Sequence, residues 1–453
     1  MTVSFRLRND PPAAALRIPV LALLLVAMAG AGTACAPSES ARGPEEDDRS
    51  APRATPASSS TPAGPSLVSP GDDVRTIQLY GGADERSLPI LRLDGEESIR
   101  LEFDLMADRG RPLSIYFDHA NRNWERDLSP SQYLDSFQND DLLSYEPSIG
   151  TEVSYVHYSY RFPNDDIQFR VSGNYILRVT EQGQPDEVLF ERPFFIAEDV
   201  GGLDVSGNGI VVSGQRQPSI QPIARYLPPA EIRGAPFGYT ACFLRNGRLG
   251  EARCEDRPRL TDPPALRFEL PRRRAFAPGA ADYFLDLSSL QVGGSIERVD
   301  RSTSPFAVLL EPDYAEFAGS SVGPPLNGQT VVRGSRAERD PALTSEYVRT
   351  TFAFVPPNER PVRGPLTVGG SFSGMRADPT LQLSFRADRG RYEGEVLLKQ
   401  GQYEYFYHST DPNLQRVLRQ HLPRATTTVT TLLYYDDARL NTDRLLVTQS
   451  FTR

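Results

Sequence analysis

The residue types that could do chemistry in this chain are few and scattered. Four His stand at positions 119, 157, 408 and 421, and the three cysteines Cys35, Cys242 and Cys254 are too far apart for a zinc cluster. No zinc-protease, Cys-x-x-Cys, nucleophile-elbow or phosphate-loop motif occurs. Adjacent acids such as Asp140 and Asp141 point opposite ways in an extended chain, so they make poor acid/base partners. The sequence therefore predicts no catalytic residue, no metal and no cofactor, and a protein that acts by binding.

Cys242 and Cys254 flank Asn246-Gly247, which is the strongest short hairpin signal. With a two-residue turn there, Cys242 would oppose Glu251 and Cys254 would oppose Tyr239. The thiols would then lie on opposite faces, beyond the reach of a disulfide. A one-residue bulge would bring them to the same face, and an oxidising compartment would favour the bond. Both arrangements stay open from the sequence.

Composition favours strands and disfavours a nucleic-acid partner. Of 453 residues, 39 are Pro, well above the usual share, which argues for short strands joined by turns over a mainly helical protein. The 59 acidic and 49 basic residues give a net charge of −10, whereas nucleic-acid binding needs a basic patch. Lys399 is the only lysine beside many arginines, a bias interpreted as a coding preference that says little about function.

The N-terminus predicts export. Basic residues precede an apolar run from Ile18 to Gly32, which has the length of a signal peptide and is short for a membrane span. Small residues then lead to Cys35, as at a bacterial lipoprotein cleavage site, although Gly32 stands where Leu is usual. Lipidation of Cys35 is predicted, with ordinary cleavage near Ala34 as the alternative. Either course takes the protein out of the cytoplasm.

Alternation of apolar and polar residues predicts the fold after a linker rich in Ser, Pro and acids. Short alternating runs, such as Ile99 to Leu105 and Val156 to Phe162, are typical of half-buried antiparallel strands. The predicted fold class is all-β, with several immunoglobulin-like or early-set antiparallel β-sandwiches after a signal peptide and a disordered linker. The predicted boundaries are a signal peptide at 1–34, a tether at 35–73, an N-terminal sandwich at 74–198, a middle sandwich at 199–310, an irregular connector at 311–344 and a C-terminal early-set-like sandwich at 345–453.

The N-terminal sandwich carries the most specific motifs. The segment Trp124–Leu134 reads W-E-R-D-L-S-P-S-Q-Y-L, and Tyr155–Tyr158, Phe162–Asn164 and Ser172–Tyr175 follow it in order. Together they resemble the first domain of the type IX secretion system plug proteins. Similarity continues more weakly to the strand-turn-strand segment Leu397–Tyr405, which is also similar to an early-set immunoglobulin-like module.

This resemblance implies a non-enzymatic plug that binds the periplasmic side of the outer-membrane translocon β-barrel of the type IX secretion system and seals the idle pore. It implies a monomer within the complex and a location in the periplasm, where the lipid predicted on Cys35 would anchor the protein to the outer membrane. The runner-up function is a carbohydrate-binding surface lipoprotein, suggested by the early-set-like segment. That segment lacks Trp, so its stripe Tyr403, Tyr405 and Tyr407 is expected to be core or partner surface. Composition alone suggests a third hypothesis, a structural adhesin-like array of β domains.

The segment from Asn121 to Tyr145 is predicted to contact the partner, because it is long and irregular and because loops on a rigid sandwich often carry recognition. Ser129 and Pro130 are expected to begin a short helix within it. Its paired acids are interpreted as solvated loop residues, and Trp124 is expected to close one end of the sandwich core. The candidate contact residues are Trp124, Tyr133, Phe137, Asp140, Asp141 and Tyr145.

Overall fold

Strands dominate the computed structural model, which confirms the predicted all-β class. It describes residues 64–212, 218–232, 236–277, 282–315, 323–334, 340–418 and 426–453. The predicted signal peptide, Cys35 and most of the predicted tether lie outside these residues. Within them, no helix is long and apolar enough to cross a membrane.

The described strands are numbered in chain order. Those of the first sandwich are β1 (Val74–Gly81), β2 (Ile90–Arg92), β3 (Ile99–Leu105), β4 (Leu113–Ala120), β5 (Asn139–Leu142), β6 (Tyr145–Pro147), β7 (Val156–Phe162), β8 (Gly173–Glu181) and β9 (Gln184–Ala197). Those that follow, up to residue 286, are β10 (Gly202–Ile210), β11 (Ser219–Leu227), β12 (Tyr239–Arg245), β13 (Arg253–Glu255), β14 (Arg259–Asp262), β15 (Ala265–Glu269) and β16 (Tyr283–Asp286).

The remaining strands and the short helices complete the fold. The strands are β17 (Ile296–Asp300), β18 (Ala307–Leu310), β19 (Asp313–Tyr314), β20 (Val331–Val332), β21 (Tyr347–Val355), β22 (Leu366–Gly370), β23 (Arg376–Arg386), β24 (Arg391–Lys399), β25 (Gly401–Ser409), β26 (Thr428–Asp437) and β27 (Thr442–Thr452). The described α-helices are α1 (Pro130–Tyr133), α2 (Pro341–Thr344) and α3 (Pro412–Leu418).

Two sheets form the first sandwich, in the orders β1-β3-β7-β6 and β2-β9-β8-β4-β5. Period-two alternation along β3 sends Ile99, Leu101, Phe103 and Leu105 into the space between the sheets. Rings from both sheets meet there, for example Phe103 and Phe190, whose centroids are 5.0 Å apart. This cluster is the core of the first sandwich. The apolar side chains that fill it are those whose alternation predicted the strands.

The second sandwich is built from two separate stretches of chain. Its sheets have the orders β10-β11-β15-β14 and β13-β12-β26-β27, so β12 pairs with a strand almost two hundred residues later. This differs from the predicted succession of a middle sandwich at 199–310 and a C-terminal one at 345–453. Periodicity marks where strands lie but carries no information on which distant strand each one pairs with.

The third sandwich lies between those two stretches in sequence. Its strands follow the order β16-β25-β22-β23-β24-β21-β18-β17, with β19 beside β21 and β20 beside β25. The predicted connector at 311–344 thus supplies β19, β20 and α2 to this body. Tyr403, Tyr405 and Tyr407 are all buried in its core.

The last residues of the predicted tether lie against the folded body. The backbone N–H of Val68 donates to Glu191 Oε2 over 2.9 Å, and the backbone carbonyl of Val68 accepts from Glu191 N–H over 3.1 Å. The Pro65 carbonyl accepts a 2.6 Å hydrogen bond from Arg376. Chain from Gly64 onward is therefore part of the ordered structure, ten residues earlier than predicted.

Candidate functional site

The predicted contact segment begins with a turn that buries a tyrosine. Pro130 is the first residue of α1, and the backbone N–H of Ser129 donates to Gln132 Oε1 over 2.9 Å, so the predicted helix start is present. The helix turns Tyr133 inward, where its hydroxyl donates to the Phe117 carbonyl over 2.5 Å. Tyr133 is buried in the core of the first sandwich, which corrects its prediction as a partner contact.

Trp124 also faces the protein interior, although not the core that was predicted. Its backbone φ is +66°, and its ring packs edge-on against Phe195 at 5.5 Å. The same apolar cluster includes Leu432 and Tyr434 of the second sandwich. Trp124 therefore fills the junction between the first and second sandwiches, where its indole is largely hidden from a partner.

The paired acids lie in strand β5, which corrects their placement in a loop, and Asp140 is half-buried while Asp141 is exposed to solvent as predicted. Asp140 Oδ2 accepts from the Tyr160 hydroxyl over 2.8 Å and from Asn164 over 3.2 Å. Asp141 accepts from Ser114 over 2.9 Å and from Gln182 Nε2 over 2.8 Å. Both carboxylates thus fasten the edge of the sandwich to its neighbours, and this limits what they can offer to a partner.

Exposed apolar side chains mark the same edge. β5 and β6 are the outermost strands of the two sheets, and two residues join them, so both edges lie on one side of the sandwich. Phe137 is 68% exposed and Leu143 is 64% exposed, although both are large apolar residues. With Tyr145 and Ile149, also exposed, they form what we call the apolar edge.

Acidic side chains border the apolar edge. Glu146 lies on β6 itself, Glu152 follows it, and both are exposed. Asp135, on the chain entering β5, is half exposed and paired with Arg170 at 2.8 Å. A mixed border of this kind around exposed rings is typical of a protein interface. The predicted segment therefore keeps Phe137 and Tyr145 as surface candidates, and the structure adds Leu143 and Ile149.

The two internal cysteines are joined by a disulfide. Cys242 on β12 pairs directly with Cys254 on β13, three residues beyond the Glu251 that a two-residue turn would place there. Asn246 and Gly247 do adopt positive φ, but the chain then makes a further turn at Leu249–Glu251 before β13 begins. Those extra residues bring both sulfurs to the same face.

Comparison with known proteins bears on the first sandwich. Residues 74–198 match the family model described as Type 9 secretion system plug protein 1st domain. The first sandwich is similar to the first domain of type 9 plug proteins. This confirms the resemblance predicted from the motifs between Trp124 and Tyr175. The match indicates a role in type 9 secretion and a location in the cell envelope, and the family is not one of enzymes.

A solved structure shares the fold of most of the chain. It is the crystal structure of a hypothetical protein from Parabacteroides merdae, with a TM-score of 0.76 and 23% sequence identity. The match covers 86% of this chain and all of that one, so the plug-like first domain and the sandwiches after it recur together there. No curated protein matches the chain.

A buried ionic cluster escaped the sequence analysis. Lys399 Nζ lies 2.6 Å from Asp104 Oδ2, and His157 Nδ1 lies 2.8 Å from Asp104 Oδ1. Burial alone would raise the pKa of Asp104, but Lys399 and His157 hold that pKa below its ordinary value. The sequence signal was present, because Lys399 is the only lysine of the chain, but it was interpreted only as part of a coding preference.

Among the residues that the structure describes, the remaining His, Cys, Asp and Glu side chains do not form a metal centre. No group of three or more His, Cys, Asp or Glu side chains in the described part of the chain is arranged to hold a metal ion. His119 is fully buried, with Nδ1 2.6 Å from Asp127 and Nε2 3.2 Å from the Ser172 carbonyl. This buried histidine therefore fastens loops of the first sandwich together.

Proposed function

We propose that this protein is a plug of the type 9 secretion translocon, which binds the periplasmic side of the outer-membrane β-barrel and seals the pore when no substrate passes. The match of residues 74–198 to the plug first domain carries this proposal. The function requires binding without chemistry, which fits the structural contacts that His119, Asp140 and Asp104 make.

A rigid folded body suits the task. A wide barrel cannot be closed by the packing of its own side chains, so another body must fill or cover its mouth. Hydrogen bonds tie the first sandwich to both of the others. Tyr434 donates to Asn174 over 2.7 Å, and Arg444 pairs with Glu198 at 2.6 Å, while Val332 N–H donates to Glu85 over 2.7 Å.

The apolar edge is the surface that best fits the partner contact. Phe137, Leu143, Tyr145 and Ile149 expose rings and branched chains beside acids, and this composition would suit apolar residues and arginines or lysines at the barrel mouth. Tyr403, Tyr405 and Tyr407 are buried, so their rings cannot stack on a sugar, and the carbohydrate-binding alternative loses the stripe that suggested it.

The proposed anchor is a lipid on Cys35, which lies outside the described residues. A lipid there would hold the plug near the membrane and raise its effective concentration at the pore. Cys35→Ser should block lipidation and move the protein to the aqueous phase of a detergent partition. If the mature protein partitions identically with and without Cys35, the anchor is refuted, while the plug role would stand.

Copurification tests the plug role. The protein is captured through a C-terminal affinity tag from detergent-solubilised envelopes of cells that use type 9 secretion. A very large outer-membrane β-barrel should come with it, and cells lacking the protein should admit large hydrophilic molecules that the outer membrane normally excludes. Capture of the intact protein without a barrel, together with an unchanged permeability barrier, would refute the proposal.

A further inference from the structure

The buried ionic cluster lies between two sandwiches. Asp104 is on β3 of the first sandwich, and Lys399 ends β24 of the third, 295 residues later. The side chains of both residues are 1% exposed. The contact therefore belongs to the interface between the bodies and to neither core.

The polar groups around Asp104 favour its ionised form. On the carboxylate side, Tyr347 donates to Asp104 Oδ2 over 2.6 Å, and Thr76 lies 2.6 Å from the same hydroxyl. His157, directly across from Asp104 on β7, contacts its other oxygen. A carboxylate with all these contacts is stabilised although it is buried.

The ammonium group is equally well surrounded. Lys399 Nζ donates to the Ala342 carbonyl over 2.6 Å and lies 4.1 Å from the ring centre of Tyr155. The Tyr155 hydroxyl itself donates to the Ala342 carbonyl over 3.0 Å and to the Ser345 carbonyl over 3.1 Å. Glu102 and Asp340 add negative charge nearby. The site is thus closed by elements of both sandwiches.

The geometry explains why a lysine stands here in a chain that otherwise uses arginine. A single nitrogen must fit between a carboxylate oxygen, a carbonyl oxygen and the face of a ring. A compact ammonium on a flexible stem can do this, whereas the planar guanidinium of arginine is wider and presents donors in a fixed fork. The exception to the arginine preference therefore has a steric and electrostatic reason.

We infer that Asp104 and Lys399 form an interdomain lock that fixes the register between the first and third sandwiches. If the interface slid while it stayed closed, the carboxylate or the ammonium would be left buried without its partner, which costs far more than the pair contributes. Intermediate positions are thereby excluded, so the two sandwiches move as one rigid body and separate only by opening fully. This inference does not depend on the proposed partner.

The lone lysine makes the lock directly measurable. The intact protein is treated at neutral pH with an amine-reactive ester, and modification of Lys399 is followed by peptide mass spectrometry. An Arg257→Lys variant adds a reference lysine at an exposed position on the second sandwich. The reference lysine should react at least about a hundredfold faster than Lys399, because Lys399 reacts only in the opened form. Comparable rates at the two positions would overturn the lock.

A double-mutant cycle separates a lock from simple packing. Hydrogen exchange of residues 341–347 is measured for Lys399→Met, Asp104→Leu and the double variant. Exchange of β8 is measured in parallel to report the global stability of each protein. Each single change should speed exchange at 341–347 by about tenfold or more, because one buried charge loses its partner. The double variant should recover most of the protection, since neither charge of the Asp104–Lys399 pair is then buried without its partner.

A matched control breaks an exposed ion pair. Arg92→Met removes the contact with Glu97, whose side chain is about half exposed, and should leave exchange at 341–347 unchanged. Effects of the two lock substitutions that simply add in the double variant would overturn the inference, as would equal loss of protection in β8 and at 341–347. If a single variant fails to fold, the amine-reactivity comparison on the otherwise unchanged chain still decides.

Discussion

Asp140 Oδ2 accepts a 2.8 Å hydrogen bond from the Tyr160 hydroxyl, and this contact ties strand β5 to the opposite sheet of the first sandwich. Tyr160 is almost fully buried and lies on β7, so the bond spans the sandwich edge close to the proposed docking surface. A substitution at Asp140 would therefore disturb the fold and the interface together. The surface is better tested through residues without such partners.

Asp140→Arg should lower the free energy of unfolding by about 1–3 kcal/mol, because a buried tyrosine hydroxyl loses its acceptor. Asp140→Asn, which keeps an acceptor oxygen, should cost less than half as much. Asp141→Arg is expected to have a smaller effect, since Asp141 is exposed and water can replace its partners. Urea unfolding followed by tyrosine fluorescence measures all three. Equal stability of Asp140→Arg and the unchanged protein would mean that the Tyr160 contact contributes nothing.

The apolar edge gives the sharper test of docking. The double variant Phe137→Glu, Leu143→Glu should have a free energy of unfolding within about 0.5 kcal/mol of that of the unchanged protein, because both side chains are mostly in solvent. Under the plug proposal the same double change should abolish copurification with the barrel. Val292→Glu, at a 69% exposed position of the third sandwich, is the matched control and should copurify normally. Normal barrel capture by the double variant would exclude the apolar edge from the interface.

A buried carboxyl in the third sandwich should make stability pH-dependent. Burial raises the pKa of Asp313 to about 7, although Tyr405 and Tyr407 both donate to it over 2.8 Å. Its ordinary pKa is 3.8, so between these two values the folded state holds the extra proton. The free energy of unfolding should therefore fall as the pH rises from about 4 to about 7, by at most about 4 kcal/mol, and change no further above that.

Asp313→Asn isolates this contribution, because its amide oxygen can still accept both tyrosine hydroxyls. The variant should lose the decline between about pH 4 and about pH 7, so that near neutral pH it equals or exceeds the unchanged protein in stability. Urea unfolding at several pH values provides the comparison. A decline of the same size in both proteins would assign the pH dependence to other groups.

The disulfide should stabilise the second sandwich by limiting its unfolded chain. The bond closes a loop with a sequence separation of 12, for which chain entropy gives about 2–3 kcal/mol. Replacing both Cys242 and Cys254 by Ala should lower the free energy of unfolding by that amount. A thiol reductant should destabilise the unchanged protein similarly and leave the double variant unaffected. Insensitivity of the unchanged protein to the reductant would argue that the bond adds no stability.

Local pattern predicted the strands of the first sandwich well, and Ile99 to Leu105 shows where such prediction ends. The alternation correctly placed Leu101 and Phe103 in the core. It also placed Asp104 on the outer face, where a charged residue is expected to meet water. Instead the third sandwich covers that face, and the covering residues come from a part of the chain that no local pattern relates to β3.

The contact segment illustrates the same limit. The residue types of Ser129 and Pro130 predicted the start of a helix, and α1 begins at Pro130 in the structure. Whether Tyr133 and Trp124 face a partner or the interior depends on which surfaces the neighbouring strands and the second sandwich already cover. The exposed positions of Leu143 and Ile149 depend equally on β5 and β6 being the sheet edges, which only the strand order reveals.

Because the second sandwich is built from two distant stretches of chain, it must fold last when the chain is synthesised from its N-terminus to its C-terminus. The first sandwich can close once residue 197 is present, and the third once residue 418 is present, but β12 waits for β26. Until then Phe243 and Phe268 lack part of their packing, because Val429 and Leu433, which belong to the same core, have not yet been synthesised. A chain halted at residue 418 should accordingly show protease-resistant first and third sandwiches and cleavage throughout residues 199–276. We therefore expect the chain to depend most on a chaperone that covers apolar surface before β26 has been synthesised.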